Sequence, residues 1–175
     1  MGGTALVTGA SSGIGRELAA LFARDGFDLI LVARRADALE ALAAELRARA
    51  GVRVRVLPAD LSSPGAAEAL AAAATAEADA VDVLVNAAGF GLRGDHAELP
   101  LDAQLRMIRL NVEALTELTR RLLPSMLRRG GGGVLNVAST AGFQPGPRMA
   151  VYYATKAYVL SFTEAIAEEC RGSGL

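Results

Sequence analysis

Tyr152 and Lys156 stand four residues apart in a stretch, Ala150 to about Glu169, that reads as a helix. At that spacing two side chains share one helix face. A free phenol ionises near pH ~10, too high for efficient proton exchange around neutrality. An ammonium beside it favours the phenolate and should lower that value. A tyrosine so placed could give a proton to a carbonyl oxygen and take one back from an alcohol. Tyr153 is the competing phenol, but the residue four positions on is Ala157, which brings no charge. Tyr158, followed four later by Phe162, and Tyr153 both read as packing or interface residues. His96, the only histidine, lies in a loop beside Asp95 and Glu98 and reads as a surface residue.

A second chemistry belongs to the run Thr8-Gly9-Ala10-Ser11-Ser12-Gly13-Ile14-Gly15, which joins a β-rich segment to a helical one. Its glycines permit a tight turn and a close approach of backbone to a pyrophosphate, which N–H groups at the helix start can then hold. The run lacks the Gly-Lys-Ser/Thr ending of a nucleoside triphosphate loop. The next apolar segment ends Val32-Ala33-Arg34-Arg35. A carboxylate there would accept from the adenosine ribose of NAD; a guanidinium fork pairs instead with a 2′-phosphate. This pattern points to NADP, with Arg34 ahead of Arg35. The plain alternatives are an ordinary strand-to-helix turn and two solvated arginines at a helix start.

These groups need a frame that brings residue 9 near residue 156. Thr4 to Thr8 predicts a strand, and Ile14, Leu18, Leu21 and Phe22 predict a helix ending near Asp25-Gly26. Leu29 to Ala33 is continuously apolar, as in a strand covered on both faces. Asp37 to Ala50 predicts a helix stopped by Gly51. Val52 to Leu57 alternates valine with arginine and predicts a strand nearer the sheet edge. Ser63-Pro64 predicts a helix start, capped by Ser63 and running to about Ala78. Asp82 to Asn86 reads as the fourth strand. Asp102 to about Leu127 reads as a long helix disturbed at Pro124. After Gly130 to Gly133 come a fifth strand, Val134 to Ala138, and the helix bearing Tyr152. Such alternation specifies a parallel sheet with helices on both faces and right-handed crossovers.

Several motifs now stand in order. Thr8, Gly9, Gly13 and Gly15 fit TGxxxGxG, and Asp60 follows the third strand. Asn86-Ala87-Ala88-Gly89 follows the fourth, and Asn111 lies in the long helix. Ser139 follows the fifth strand, thirteen residues before the Tyr152 of YxxxK. On these residues, across essentially all 175 positions, the chain resembles the short-chain dehydrogenase/reductase family. The resemblance implies a single α/β domain over 1–175, a Rossmann-type doubly wound parallel sheet in strand order 3-2-1-4-5. It places strands six and seven, a Pro-Gly motif and a substrate lid beyond Leu175. It implies interconversion of a ketone or aldehyde and an alcohol by hydride transfer with NADP(H).

In that resemblance Tyr152 is the acid/base, Ser139 bonds the substrate oxygen, Lys156 also holds the nicotinamide ribose, and Asn111 holds a water in a proton relay. Cofactor contacts are expected from Gly9, Ser11, Ser12, Gly13, Ile14 and Gly15 at the turn, and from Arg34 and Arg35. Asp60 and Leu61 are expected at the adenine, and Asn86, Ala87, Ala88 and Gly89 beneath the cofactor, with Tyr152 and Lys156. Small residues there leave room, and Asn86 can tie neighbouring backbone together. Members of the family pair through the long helix and the YxxxK helix, which implies a homodimer or homotetramer. Leu115, Leu118 and Leu122 on one helix and Tyr158, Phe162 and Ile166 on the other are the candidate interface positions. The alternative is that both stripes face the sheet.

Composition narrows the remaining classes. The 18 basic and 19 acidic side chains leave a net charge of −1, no field for nucleic acid or an anionic membrane. The single cysteine, Cys170, excludes an intrachain disulfide, and one histidine with one cysteine speaks against a zinc site. Acidic residues and Gly-rich turns interrupt the apolar runs, so no membrane span is expected. The N-terminus enters a strand at once without a basic n-region, which makes a cytoplasmic location the default. Phe90, Leu92, Phe143 and Met149 suggest a partly apolar wall for a small-molecule carbonyl or alcohol substrate. A non-catalytic NADP-binding or assembly protein on the same fold is the alternative from another class.

Overall fold

Thr4–Thr8 forms β1, buried at every position, because helices cover both faces of the sheet it centres. The computed structural model describes residues 2–76 and 80–175. α1 (Gly13–Arg24), β2 (Asp28–Ala33), α2 (Ala36–Ala50) and β3 (Val54–Pro58) complete one half. α3 (Ala66–Thr75), β4 (Val81–Asn86), α4 (Leu101–Ile108), α5 (Leu115–Arg129), β5 (Gly133–Asn136) and α6 (Ala150–Glu169) form the other. The strands pair in parallel in the order β3-β2-β1-β4-β5, as the resemblance implied.

Alternate residues of each strand feed two separate cores. Leu6, Ile30, Val32 and Leu84 pack with Leu70 of α3 and Leu118, Leu122 and Met126 of α5. Ala5, Val7, Leu29, Leu31 and Val85 pack with Ala19 and Ala23 of α1 and Leu39, Leu42 and Leu46 of α2. The arginines that mark β3 as an edge have a use: Arg55 donates to the carbonyls of Ala73 and Ala74 near the end of α3 (3.1 and 3.4 Å). Those last-turn carbonyls have no partner within the helix.

Four expectations need correction. Ser63 does not cap α3. Ser63-Pro64-Gly65-Ala66 closes a turn, Ala66 N donating to Ser63 O at 3.2 Å with Gly65 at φ 74, and the helix starts after it. Pro-Gly at the centre of four residues favours this type II turn over a helical first turn. The expected end of that helix near Ala78 lies outside the described residues. The long helix runs as an α-helix through Pro124, and its irregularity sits earlier, in a π-helical stretch at Arg109–Ala114 that contains Asn111. β5 stops at Asn136 rather than Ala138, although Val137 N still donates to Asn86 O at 3.0 Å. Lastly, Leu115, Leu118 and Leu122 are buried, the latter two in the chain's own core, so that stripe faces the sheet. Among the described residues no helix is long and apolar enough to cross a membrane.

Candidate active site

The sheet reverses its winding between β1 and β4, and a crevice opens there beyond the carboxyl ends of the strands. It holds a cavity of about 490 Å³, running from Arg34 and Asp60 at one end to Gly89 and Val137 at the other. The turn after β1 forms its floor. Gly9 has φ 69, and a Cβ there would lie 2.9 Å from the Ala87 and Ala88 backbone. A Cβ on Gly15 would lie 2.5 Å from the Gly9 carbonyl oxygen, so α1 can seat this close only with glycine. The Thr8 hydroxyl donates to Val85 O (3.2 Å) and accepts from Ala87 N and Ala88 N (both 3.1 Å), which locks the loops after β1 and β4 together. Ser12 precedes α1 in extended backbone and makes no side-chain cap, so the first-turn N–H groups face the cavity without a side-chain acceptor. Ser11, Gly13 and Ile14 line the same wall.

Arg35 folds back onto the turn, donating to Ser11 O at 3.1 Å and to its hydroxyl at 3.4 Å. Arg34 lines the cavity, is exposed, and makes no hydrogen bond or ion pair among the described residues. Asp60 and Leu61 close the same end. A hydrogen bond from the Ser62 hydroxyl, with its backbone N–H and the charges of Arg106 and Arg34, holds the Asp60 carboxyl below its usual 3.8 against the opposing effect of burial. Asn86 does not line the cavity. Buried beneath it, Asn86 Nδ2 donates to Asn136 Oδ1 (2.9 Å) and Thr119 Oγ1 (3.3 Å), and Asn136 in turn reaches Thr163 (3.0 Å). It is a strut between β4, β5, α5 and α6.

The chemistry-bearing residues gather at the other end. A Cβ on Gly89 would stand 3.1 Å from Asn111 Oδ1 and 3.8 Å from Lys156 Nζ, so both groups crowd the same small residue. Asn111 makes three side-chain hydrogen bonds: Nδ2 donates to Phe90 O (2.9 Å) and Thr155 Oγ1 (3.1 Å), and Oδ1 accepts from Phe90 N (3.1 Å). Lys156 is 8% exposed and donates to Val137 O at 2.7 Å. Burial pushes its pKa below the usual 10.5. Two residues after Val137, Ser139 opens a short 3₁₀ turn, Thr140–Phe143. Its Oγ accepts from Ala141 N at 3.1 Å, which leaves the hydroxyl hydrogen to donate. Tyr152 lays its ring against Gly91, whose added Cβ would meet it at 3.1 Å, and its carbonyl accepts from Thr155 Oγ1 at 2.7 Å.

Tyr153 instead packs against Gly146 and lies edge-on to Tyr152 with centroids 6.2 Å apart. Tyr158, 37% exposed, stacks on Phe162 at 5.6 Å and shares a hydrogen bond with Thr116. No direct hydrogen bond joins the Ser139, Tyr152 and Lys156 side chains among the described residues. Thr155, between the two ends of YxxxK, escaped the sequence reading, as did Arg106. Position three after Tyr152 on the helix was the available signal for the first; nothing local marks the second. Among the described residues no cluster of His, Cys, Asp and Glu is suited to a metal.

A crevice beyond the carboxyl ends of parallel strands, with a glycine turn at one end and Asn111 and Lys156 converging on Gly89 at the other, is the architecture of a Rossmann-type fold. The sequence agrees: residues 3–175 match the short chain dehydrogenase family model, and the chain belongs to that family. A short chain dehydrogenase of Pseudocercospora fijiensis is 38% identical over 99% of this chain and 57% of its own length. The short-chain dehydrogenase from Sphingobium yanoikuyae, solved in complex with NADPH, is 40% identical with TM-score 0.92, covering 98% of this chain and 66% of its own. The bulky-bulky ketone specific alcohol dehydrogenase from Comamonas testosteroni gives TM-score 0.93 at 34% identity, over 98% of this chain and 69% of its own. The chain thus spans 57% of the length of the first of these relatives.

Proposed function

We propose that this chain supplies the NADP(H) site and the proton-transfer residues of an oxidoreductase that interconverts a ketone or aldehyde and an alcohol. One observation carries the reading: a single cleft runs from the free guanidinium of Arg34 to the point where Asn111 and Lys156 converge on Gly89. The cleft suits a dinucleotide. Its glycine cradle leaves no room for a Cβ at Gly9 or Gly15, and the start of α1 presents uncapped N–H groups. Those N–H groups would hold the pyrophosphate, Arg34 the 2′-phosphate, Asp60 and Leu61 the adenine, and Lys156 a ribose hydroxyl. The bound cofactor supplies or accepts the hydride.

The chain's own residues do the rest. Tyr152 gives its phenolic proton to the carbonyl oxygen in reduction and takes it back in oxidation. The Ser139 hydroxyl donates to the same oxygen and holds it in reach. The side chain of Asn111 fixes the Phe90 loop, and Asn111 would hold a relay water. Assembly as a homo-oligomer in the cytoplasm is part of this reading. With Leu118 and Leu122 of α5 in the chain's own core, exposed Leu105 and Ile108 of α4 and Tyr158 of α6, with half-buried Phe162 and Ile166 beside it, are apolar positions available for it.

Oxidation of NADPH against a ketone panel tests the reading. Tyr152→Phe should abolish turnover while NADPH still binds, and Tyr153→Phe should be far milder. A dead Tyr153→Phe protein beside an active Tyr152→Phe one would reverse the assignment. Arg34→Ala should raise the NADPH Michaelis constant about tenfold, as loss of a charge-assisted pair would, and leave that for NADH almost unchanged. Equal loss for both cofactors would remove the 2′-phosphate assignment.

A further inference from the structure

Arg106 belongs to α4, five residues before Asn111, yet its side chain reaches away from that residue to the loop after β3. Arg106 Nη2 lies 3.2 Å from Asp60 Oδ2, a contact that spans 46 positions. Nε and Nη2 both lie 3.3 Å from Ser62 Oγ. The ring closes on itself: the Ser62 hydroxyl donates to Asp60 Oδ1 at 2.6 Å, and Ser62 N donates to the same oxygen at 3.0 Å. Ser62 is buried, and Asp60 and Leu61 line the cavity together with Arg34. Both carboxylate oxygens therefore have fixed partners, and the loop has one orientation.

This ring sits at an awkward place for a carboxylate. A 2′-phosphate held by Arg34 would be close to Asp60, whose charge would repel it and compete for the same guanidinium. At ordinary ionic strength charges so near are only partly screened. A second cation on Asp60 relieves both problems, and Arg106 stands at its Oδ2. As a stabiliser of the fold the pair counts for little, because its side chains are 42% and 35% exposed. Its position matters more than its strength.

We propose that Arg106 is a cofactor-positioning residue: through Asp60 and Ser62 it fixes the adenosine end of the cleft and offsets the Asp60 charge that opposes a 2′-phosphate. The proposal rests on the NADP(H) reading. It also ties the adenosine wall to the helical rod that carries Asn111, so the two ends of the cleft share one element.

Binding titrations decide it, with NADPH, NADH and reduced nicotinamide mononucleotide, which lacks the adenosine end. Arg106→Ala should weaken NADPH about fivefold, the scale of a half-exposed ion pair, should weaken NADH less, and should leave the mononucleotide unchanged. In an Asp60→Asn background the same substitution should cost NADPH almost nothing more, because the charge to be offset is gone. If Arg106→Ala does not fold, Arg106→Lys replaces it, with a smaller NADPH loss and the same sparing of the mononucleotide. Undiminished NADPH affinity, or equal loss for all three ligands, would overturn the proposal. The NADP(H) reading is judged separately, by whether the unaltered protein binds NADPH more tightly than NADH.

Discussion

The two ends of the cleft are built by different means. Around Gly9 and Gly15 the structure is made of backbone: close approaches at 2.5 to 2.9 Å that exclude a side chain, and N–H groups left open at the start of α1. Around Asn111 and Lys156 it is made of side-chain hydrogen bonds that join distant segments. Asn111 to Thr155 spans 44 positions, and Asn86 to Asn136 spans 50. A backbone cradle suits an anion, whose recognition needs many N–H groups and little else. Proton transfer needs particular atoms held at particular places, and polar side chains locked by one another provide that.

Substitutions should separate the two constructions. The largest effect is expected in the cradle. Gly15→Ala places a Cβ 2.5 Å from the Gly9 oxygen, where only backbone could move. It should cost roughly 2 kcal/mol of stability, as overpacking does, even after the better helix propensity of alanine. Cofactor affinity should fall with it; chemical denaturation and a binding titration read the two. An unchanged midpoint would show that the cradle has slack.

Thr155→Val should come next and behave differently. It keeps the shape but leaves an Asn111 N–H without an acceptor in a buried site, a loss of about 1–2 kcal/mol. Turnover should drop with NADPH affinity retained, and Thr155→Ser should restore both stability and turnover. A loss of NADPH affinity equal to the loss in turnover would mean that the two ends are not separable in this way.

The smallest effect concerns alkaline pH. Burial holds the Lys156 pKa below 10.5 in the folded chain. Between that lowered value and 10.5 the unfolded chain binds more protons than the folded one, so stability should rise with pH across the window. Below the window the buried charge weakens the fold; above it the difference is gone. Lys156→Met should flatten the rise, seen as urea midpoints taken at successive pH values.

The cradle was the more legible end. Its glycines, Gly9, Gly13 and Gly15, fall in one short run, so a short pattern contains most of the geometry. The strands were legible for a related cause, since buried parallel strands leave continuous apolar runs such as Leu29 to Ala33; their order came only with the family resemblance. The other end was legible only in part. Tyr152 and Lys156 share a turn of helix, but the bond from Lys156 to Val137 and the one from Asn111 to Thr155 connect residues with no sequence proximity. The π-helical stretch left no composition signal either, since Arg109 to Ala114 reads as ordinary helix. Nothing near Arg106 in the sequence marks it, because its partner lies 46 positions away. Leu118 and Leu122 carried a helical period that fitted either the sheet or a neighbour, and packing chose the sheet.

Lys156 is the only lysine in the chain. A reagent that acylates ε-amino groups therefore has one address in these residues, and the fold keeps it shut. The nitrogen must lose a proton and leave the Val137 carbonyl before its lone pair can attack. The acylation rate is then a clock for the local opening of that buried contact, read at a single atom without any engineered label. Whatever fills the cleft beside Gly89 should slow that clock.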